Sequence, residues 1–432
     1  MIYLVIAIFV LTYLLLIFRR IRGREIPVWV SMIVGAVLML LTLSISPIDA
    51  FRSESFQVIG FLFGMLVLTV GFEKSGLIEY MVLMILRRAR KIDHLLLGII
   101  FGSAFLSALL VNDTVALLWT PIVIGIASKI GLKQNKALLL PLAFGITIGS
   151  SMTPIGNPQN LLVALDSGMA RPFSDFLAHL FLPTIVSLFA TYYVCRSRLF
   201  FARFFEGIDL QKSYSAAQLQ NPKSAISDTG LAKLSASLMV ALLLSFGIVE
   251  AFPSLQTLGL TLSNLALSFG VILLLASGRR EYLLVNLSWG ILLFFAGMFV
   301  VMGAVWDSGI GRILLDSLPA PILGNTLQST GAIMSVSILL SQVLSNVPFV
   351  QLYSYQMANL GFAGTVVPWL ALAAGATLAG NLTLLGAVSN VIIVDAAEKR
   401  GDHTFGFLEF FKFGSVITFL TALIFYFFLV FV

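Results

Sequence analysis

The sequence predicts an all-α membrane protein with about ten transmembrane helices and two re-entrant hairpins, laid out as two inverted-topology repeats with broken helices at the midplane. Three observations predict it. Of 432 residues, 59% are apolar and 11% charged, where a soluble chain carries about 25% charged residues; the mean hydropathy is +1.02. Apolar stretches close to the roughly 20 residues that a helix needs to cross a hydrocarbon core recur from end to end. The two halves also repeat one another at glycine and small polar positions inside those stretches.

Uninterrupted apolar runs fall at 2–18, 26–46, 55–72, 175–195, 231–251, 256–277, 284–305 and 406–431. The first is followed by Arg19, Arg20, Arg22 and Arg24, the reverse of the order in a signal peptide. It reads as an uncleaved span with its N-terminus outside. Two further stretches, 137–165 and 368–395, are interrupted, and two more, 94–128 and 327–360, carry a polar break in the middle. In this orientation all 26 Lys and Arg except Arg52, Arg171 and Arg312 fall on the inner side, as the positive-inside rule asks. The polar stretch 198–230 reads as a cytoplasmic linker between a first repeat, 1–197, and a second, 231–432.

Several classes are excluded. The formal net charge of +6 is carried by those inner loops, and the sequence has no basic stripe or zinc pattern of a nucleic-acid binder. Cys195 stands alone, so there is no disulfide framework and no cysteine-based metal site. His94, His179 and His403 lie far apart near span edges. An enzyme would need a zinc-binding His pair on one helix or an activated Asp pair in the core, and neither is present. No cofactor is expected beyond a coupling ion.

The repeat is read from paired residues. Leu142, Ala143, Gly145, Thr147, Thr153, Gly156 and Asn160 match Leu372, Ala373, Gly375, Thr377, Thr383, Gly386 and Asn390 at one offset. Upstream, Ser107, Leu110 and Asn112 match Ser341, Leu344 and Asn346, and Phe61, Gly64, Met65, Ser75 and Gly76 match Phe294, Gly297, Met298, Ser308 and Gly309. Each half holds an odd number of full crossings plus one hairpin, so the halves point oppositely through the membrane.

Four places then carry the expected site. The first hairpin is expected to turn at Asn112, Asp113 and Thr114, with a return arm of Val115–Ser128; the second turns at Ser345 and Asn346, with a return arm of Val347–Leu360. Both arms are too short for a full crossing and read as re-entrant. The first long helix breaks across Ser150–Asn160, where Pro154, Gly156 and Pro158 interrupt hydrogen bonding; Ser151, Thr153, Asn157 and Asn160 are its candidate binding residues. The second breaks across Gly380–Asn390, with Asn381, Thr383, Gly386, Ser389 and Asn390 as candidates. Non-helical backbone at membrane depth survives only where protein or a water-filled cavity meets its polar groups. Half-helix N-termini suit an anion, and unwound carbonyls with Asn, Ser or Thr oxygens suit a hard cation. Asn112, Asp113 and Asn346 are the candidate sodium ligands. Asp113 is the acid read as lying inside the membrane, where such a group costs about 2.5–3.5 kcal/mol on insertion scales; it reads as a cation or proton site, or as a cap on the return helix.

At these residues the chain resembles the ion transporter superfamily, which takes in arsenite efflux permeases, citrate and dicarboxylate symporters and sodium/proton antiporters. NDTVALLWTP (Asn112–Pro121) looks like the arsenite-permease hairpin. TPIGNPQNLLV (Thr153–Val163) and GNLTLLGAVSNVIIV (Gly380–Val394) look like the two broken helices of the melanosomal P-protein and antiporter branch. The resemblance implies a homodimer with a fixed scaffold and a moving transport domain that carries hairpins and breaks, an elevator-type mechanism. The chain departs from the dicarboxylate symporters, whose hairpin tips carry Ser-Asn-Thr: here the aligned residues are Val111-Asn112-Asp113 and Ser345-Asn346-Val347. It is more similar to the bacterial anion permeases of the superfamily.

Residues and resemblance together point to secondary active transport of a small anion across a bacterial cytoplasmic (inner) membrane, coupled to sodium or protons. A sodium/proton antiporter with Asp113 as the exchanged site and a channel are the alternatives. The expected partners are the anion, the coupling cation, the lipid bilayer and a second copy of the chain, with no nucleic acid.

Overall fold

The structure is a computed structural model and describes residues 2–17, 20–21, 24–25, 27–50, 53–130, 132, 135–197, 221–400 and 404–432. Most of the expected linker, 198–220, lies outside the described residues, as do Arg19, Arg22, Lys133 and His403.

The described chain is helical, apart from a two-residue antiparallel ladder that pairs Arg20 with Glu25 and Ile21 with Arg24. The first half holds α1 (Ile2–Ile17), α2 (Val28–Leu41), α3 (Ser53–Lys74), α4 (Leu77–Arg87), α5 (Ile92–Leu109), α6 (Asn112–Lys129), α7 (Lys136–Gly149), α8 (Pro158–Asp166) and α9 (Pro172–Arg196). The second holds α10 (Thr229–Ala251), α11 (Leu262–Ala276), α12 (Trp289–Asp307), α13 (Ile310–Asp316), α14 (Thr326–Leu344), α15 (Asn346–Asn359), α16 (Val367–Leu378), α17 (Val388–Glu398) and α18 (Phe407–Phe431). Seven described helices are long and apolar enough to cross a membrane: α3, α5, α9, α10, α12, α14 and α18. The protein is an integral membrane protein.

Several boundaries differ from the expectation. The run 26–46 stops as a helix at Leu41, because Leu43 takes a positive φ of 53°. The run 256–277 starts as a helix only at Leu262, because Pro253–Thr257 forms its own turn and Gly259 takes φ 84°. Asn112, Asp113 and Thr114 do not form the turn of the first hairpin. Leu110 and Val111 make the turn with non-helical backbone, and the three polar residues occupy the first turn of α6. That helix has 18 residues, about 27 Å at 1.5 Å per residue, so the length argument for a re-entrant arm fails here. The second arm, α15, has 14 residues, about 21 Å. Helices α4 and α13 were not foreseen. Both begin after a glycine in the left-handed region, Gly76 at φ 77° and Gly309 at φ 82°, a conformation that glycine adopts without strain.

The packing partners recur nine helices on. α3 packs on α11 and α12 on α2; α6 packs on α17 and α15 on α8; α5 packs on α7 and α14 on α16. The glycines explain the closest crossings. A Cβ on Gly64 would run into the Ala266 carbonyl, and one on Gly297 would lie 2.8 Å from the Met32 carbonyl carbon. Helices α1, α2, α3, α10, α11 and α12 pack chiefly among themselves, as do α5 to α9 with α14 to α18. Where the two groups meet, Tyr13 Oη on α1 donates to the Leu344 carbonyl at 2.7 Å, and Glu250 on α10 accepts hydrogen bonds from the first turn of α9.

Candidate functional site

The chain breaks at both expected places. In the first, α7 ends in a short 3-10 turn at Ser150–Met152 and Thr153 turns extended. Asn157 then caps α8, its Oδ1 accepting from the Asn160 amide nitrogen at 2.8 Å, with Pro158 at the first helical position. An Asn cap followed by Pro is a strong helix start. Thr153 Oγ1 donates to the Ala108 carbonyl at 2.5 Å and accepts from the Gly156 amide at 3.1 Å. Ser151 Oγ donates to the Ile148 carbonyl at 2.6 Å. Asn160 Nδ2 lies 3.0, 3.3 and 3.1 Å from the carbonyl oxygens of Ser150, Ser151 and Thr153, and Thr377 Oγ1 donates to Asn160 Oδ1 at 3.0 Å. Asn157 Nδ2 donates to Thr377 Oγ1 at 3.0 Å. The Asn112 amide donates to the Gly156 carbonyl at 3.0 Å and so fastens the first hairpin to this break.

In the second break, α16 gives way to 3-10 turns at Ala379–Asn381 and Leu384–Gly386 before α17 begins. Thr383 Oγ1 donates to Gln342 Oε1 at 2.7 Å, and Gln342 Nε2 donates to the Ala379 carbonyl at 2.9 Å. Asn390 Nδ2 donates to the Gly380 carbonyl at 2.7 Å. Asn390 Oδ1, Ser389 Oγ and both polar side-chain atoms of Asn381 are buried with no hydrogen-bond partner. Ala387 stands at the N-cap of α17 and supplies no side-chain cap.

The two hairpin tips and the starts of both post-break helices meet at one cavity of about 440 Å³, within the usual range for a small-molecule site. Its wall includes Asn112, Asp113 and Thr114 from α6, and Pro158 and Gln159 from α8. Ser345, Asn346 and Val347 come from the start of α15, and Gly386, Ala387 and Val388 from the start of α17. Four helix N-termini therefore face one space. Each N-terminus carries roughly half a positive charge and free N–H groups. The opposite wall comes from α2 and α12, with Val28, Trp29, Ser288, Ile291, Phe294 and Phe295.

Ser345 is the strained point of the cavity, with φ 63° and ψ 156°. This region is almost reserved for glycine and costs of order 1–3 kcal/mol. Tyr13 holds the carbonyl just before it.

Of the residues expected from sequence, Asn112, Asp113, Thr114, Ser345, Asn346 and Gly386 line the cavity. Ser151, Thr153, Gly156, Asn157, Asn160, Asn381, Thr383, Ser389 and Asn390 are not among its lining residues; they lie in the two break segments or the first turns of the helices that follow. The three candidate sodium ligands share the cavity: Asn112 Oδ1 accepts from the Asp113 amide at 2.9 Å, and Asn346 Oδ1 has no partner. Gln159, Ser288 and Asp395 also line it and were not foreseen. Asp395 pairs with Lys399 one helical turn on, at 2.7 Å.

Comparison with known proteins agrees with this architecture. The chain is 29% identical over 426 residues to an uncharacterized transporter of Mycobacterium tuberculosis, covering 96% of this chain and 94% of that one. It is 27% identical over 415 residues to a silicon efflux transporter of Oryza sativa, covering 85% and 84%. Its fold is similar to that of MtrF of Neisseria gonorrhoeae, described as illuminating a class of antimetabolite efflux pumps, with a TM-score of 0.58 at 13% identity, covering 98% and 94%. A family model described as citrate transporter, CitMHS, matches residues 13–374. That family is one of transporters, not enzymes, and the chain belongs to it: this is a membrane transporter of the CitMHS citrate transporter family.

Proposed function

We propose that the chain is a secondary active transporter that carries a small anion across the bacterial cytoplasmic membrane, coupled to sodium or protons. One observation carries the reading: α6, α8, α15 and α17 all begin at the same cavity. The described lining residues include no Lys or Arg, so helix N-termini supply the positive potential for an anion. Asp113 and Asp395 line the same cavity, and an anion would enter most favourably with a cation that offsets them.

The transport domain would comprise α5 to α9 with α14 to α18, and the scaffold α1 to α3 with α10 to α12. The separate packing of the two groups supports an elevator motion, with α4 and α13 as the arms between them. The pairing that recurs nine helices on supports two inverted repeats, 1–197 and 231–432, each contributing one hairpin, one break and five crossings, ten in all. A homodimer and an inner-side linker at 198–230 complete the proposal. The two cavity acids favour a sodium/proton antiporter as the second reading.

The test is uptake into proteoliposomes of labelled citrate, succinate, sulfate, phosphate and arsenite under an imposed sodium or proton gradient. The proposal expects saturable accumulation of at least one of them that collapses with the gradient. Sodium–proton exchange that proceeds with no anion present would select the antiporter. High single-channel conductance would select a pore.

A further inference from the structure

A second cavity, of about 500 Å³, lies between α14 and α18, away from the four helix starts. Met334 and Ile338 from α14 face Phe419, Ala422 and Leu423 from α18 across it, and Leu382 of the second break is its floor. Residues three and four apart on a helix share a face, so two apolar stripes form a groove along the helix axes. Phe419 and Leu423 are 65% and 50% exposed, and the groove opens sideways toward the bilayer. One end is closed where the helices meet: Tyr426 Oη donates to the Leu327 carbonyl at 3.2 Å, and the Tyr426 ring would lie 3.5 Å from a Cβ on Gly331. At the other end the same face of α18 continues from Ser415 to Lys412.

Dimensions and charge say what fills it. From Ser415 to Tyr426 the groove runs about 16 Å, the depth of one leaflet in a hydrocarbon core about 30 Å thick. A helix of that length, about 10 Å or more across, would need well over 1,000 Å³, so the groove takes a chain and not a helix of a second copy. Left empty in hydrocarbon, its walls would forfeit their contacts on one side. In the orientation expected from the positive-inside rule, α18 starts on the inner side. It has 25 residues, about 37 Å, which exceeds the core and leaves Lys412, about 8 Å from its inner end, at the hydrocarbon edge. Lys412 is exposed and pairs with no acid among the described residues. The acid one turn before it, Glu409, is taken by Lys136 at 2.9 Å. A lysine at that depth extends its ammonium to the headgroup layer.

We propose that this groove binds one anionic phospholipid of the inner leaflet, with an acyl chain along α14 and α18 and the phosphate on Lys412. The site is separate from the cargo cavity and holds whatever the cargo is. Because α14 ends at the strained tip of the second hairpin and Leu382 belongs to the second break, the bound chain braces both.

The experiment titrates the delipidated full-length chain in detergent with dioleoyl phosphatidylglycerol or dioleoyl phosphatidylcholine, counts bound lipid by native mass spectrometry and follows the melting temperature. Wild type is expected to take up one phosphatidylglycerol per chain, with a rise in melting temperature that saturates. One lysine at an anionic headgroup makes that lipid about fivefold tighter than phosphatidylcholine. Lys412→Gln should erase the preference and leave phosphatidylcholine binding within twofold of wild type. Ala422→Phe fills the groove and should abolish binding of both lipids; should it not fold, Leu423→Trp, at a half-exposed position, makes the same test. Equal affinity of wild type for the two lipids, or unchanged binding in a folded groove-filling variant, overturns the proposal. So does efficient disulfide-linked dimer formation in membranes by Leu423→Cys in a Cys195→Ala background, which would give the groove to a second copy of the chain.

Discussion

Replacing Glu250 with alanine tests whether two groups of helices move against each other. Glu250 sits at the end of α10, 3% exposed, and its carboxylate reaches across to the first turn of α9. It accepts from the amides of Phe173 at 2.6 Å and Ser174 at 2.9 Å and from Ser174 Oγ at 2.6 Å. Arg171, at the N-cap of α9, provides no side-chain cap of its own. The rings of Phe173 and Phe246 pack beside this contact, with centroids 5.4 Å apart. Loss of an N-cap costs about 0.5–2 kcal/mol, and a hydrogen bond to a charged group is worth about 1.5–3 kcal/mol. With water entering to replace part of this, the net loss is about 2–3 kcal/mol. If the contact exists in only one conformation, that loss shifts the equilibrium between conformations by roughly 30- to 150-fold. Cysteine placed at Thr114, on the cavity wall, in a Cys195→Ala background reports the shift through its rate of alkylation by a membrane-impermeant maleimide applied from the cavity side. Glu250→Ala should slow that labelling severalfold or more, and Glu250→Gln, which keeps one acceptor oxygen, should fall between. Unchanged labelling together with a lowered melting temperature would mean that Glu250 merely caps α9, and the two-body reasoning would fail.

Further outcomes follow from particular contacts. Tyr13→Phe removes the hydroxyl that holds the Leu344 carbonyl; it should lower transport rate more than melting temperature, which thermal unfolding and uptake on the same preparation will compare. Gly64→Val drives a side chain into the Ala266 backbone and should destabilise by about 1–3 kcal/mol or more, seen as loss of folded protein in detergent, whereas Gly247→Ala, where nothing lies within 4 Å, should be silent. Asp113→Asn keeps the shape of the cavity wall but removes a charge, and it should abolish or change the cation dependence of uptake while the protein stays folded. Breaking the Lys136–Glu409 ion pair, 2.9 Å between α7 and α18, by Lys136→Met should cost no more than about 1 kcal/mol, since the pair is partly exposed.

Much of this was legible in the sequence because lipid imposes a strict rule on the backbone. Pro154, Gly156 and Pro158 announce the first break, and the chain breaks there. The second has no proline and is read from Gly380, Asn381 and Gly386, and its 3-10 turns fall on those residues. The first hairpin's turn was misplaced because Asn, Asp and Thr suit both a turn and the first turn of a helix. The choice fell to Leu110 and Val111, whose non-helical backbone has no mark in composition. Helices α4 and α13, of 11 and 7 residues, were too short to register as spans. The wall of Trp29, Ser288 and Phe294 could not be read at all, since it arises where α2 and α12 from opposite halves pack together. Asn157 and Asn160 look like ligands in sequence, and only three-dimensional contacts reveal how fully their amides are engaged at home.

The most direct measurement is the dependence of anion binding on the helix starts that surround the cavity. Purified chain is titrated with each anion of the panel by calorimetry, before and after Gly386→Val, which places a side chain against Gln342 Oε1 and the Ala379 carbonyl just ahead of α17. At least one anion should bind wild type and lose tenfold or more of its affinity in folded Gly386→Val. An anion that drives transport yet binds both proteins equally would contradict the placement of the site.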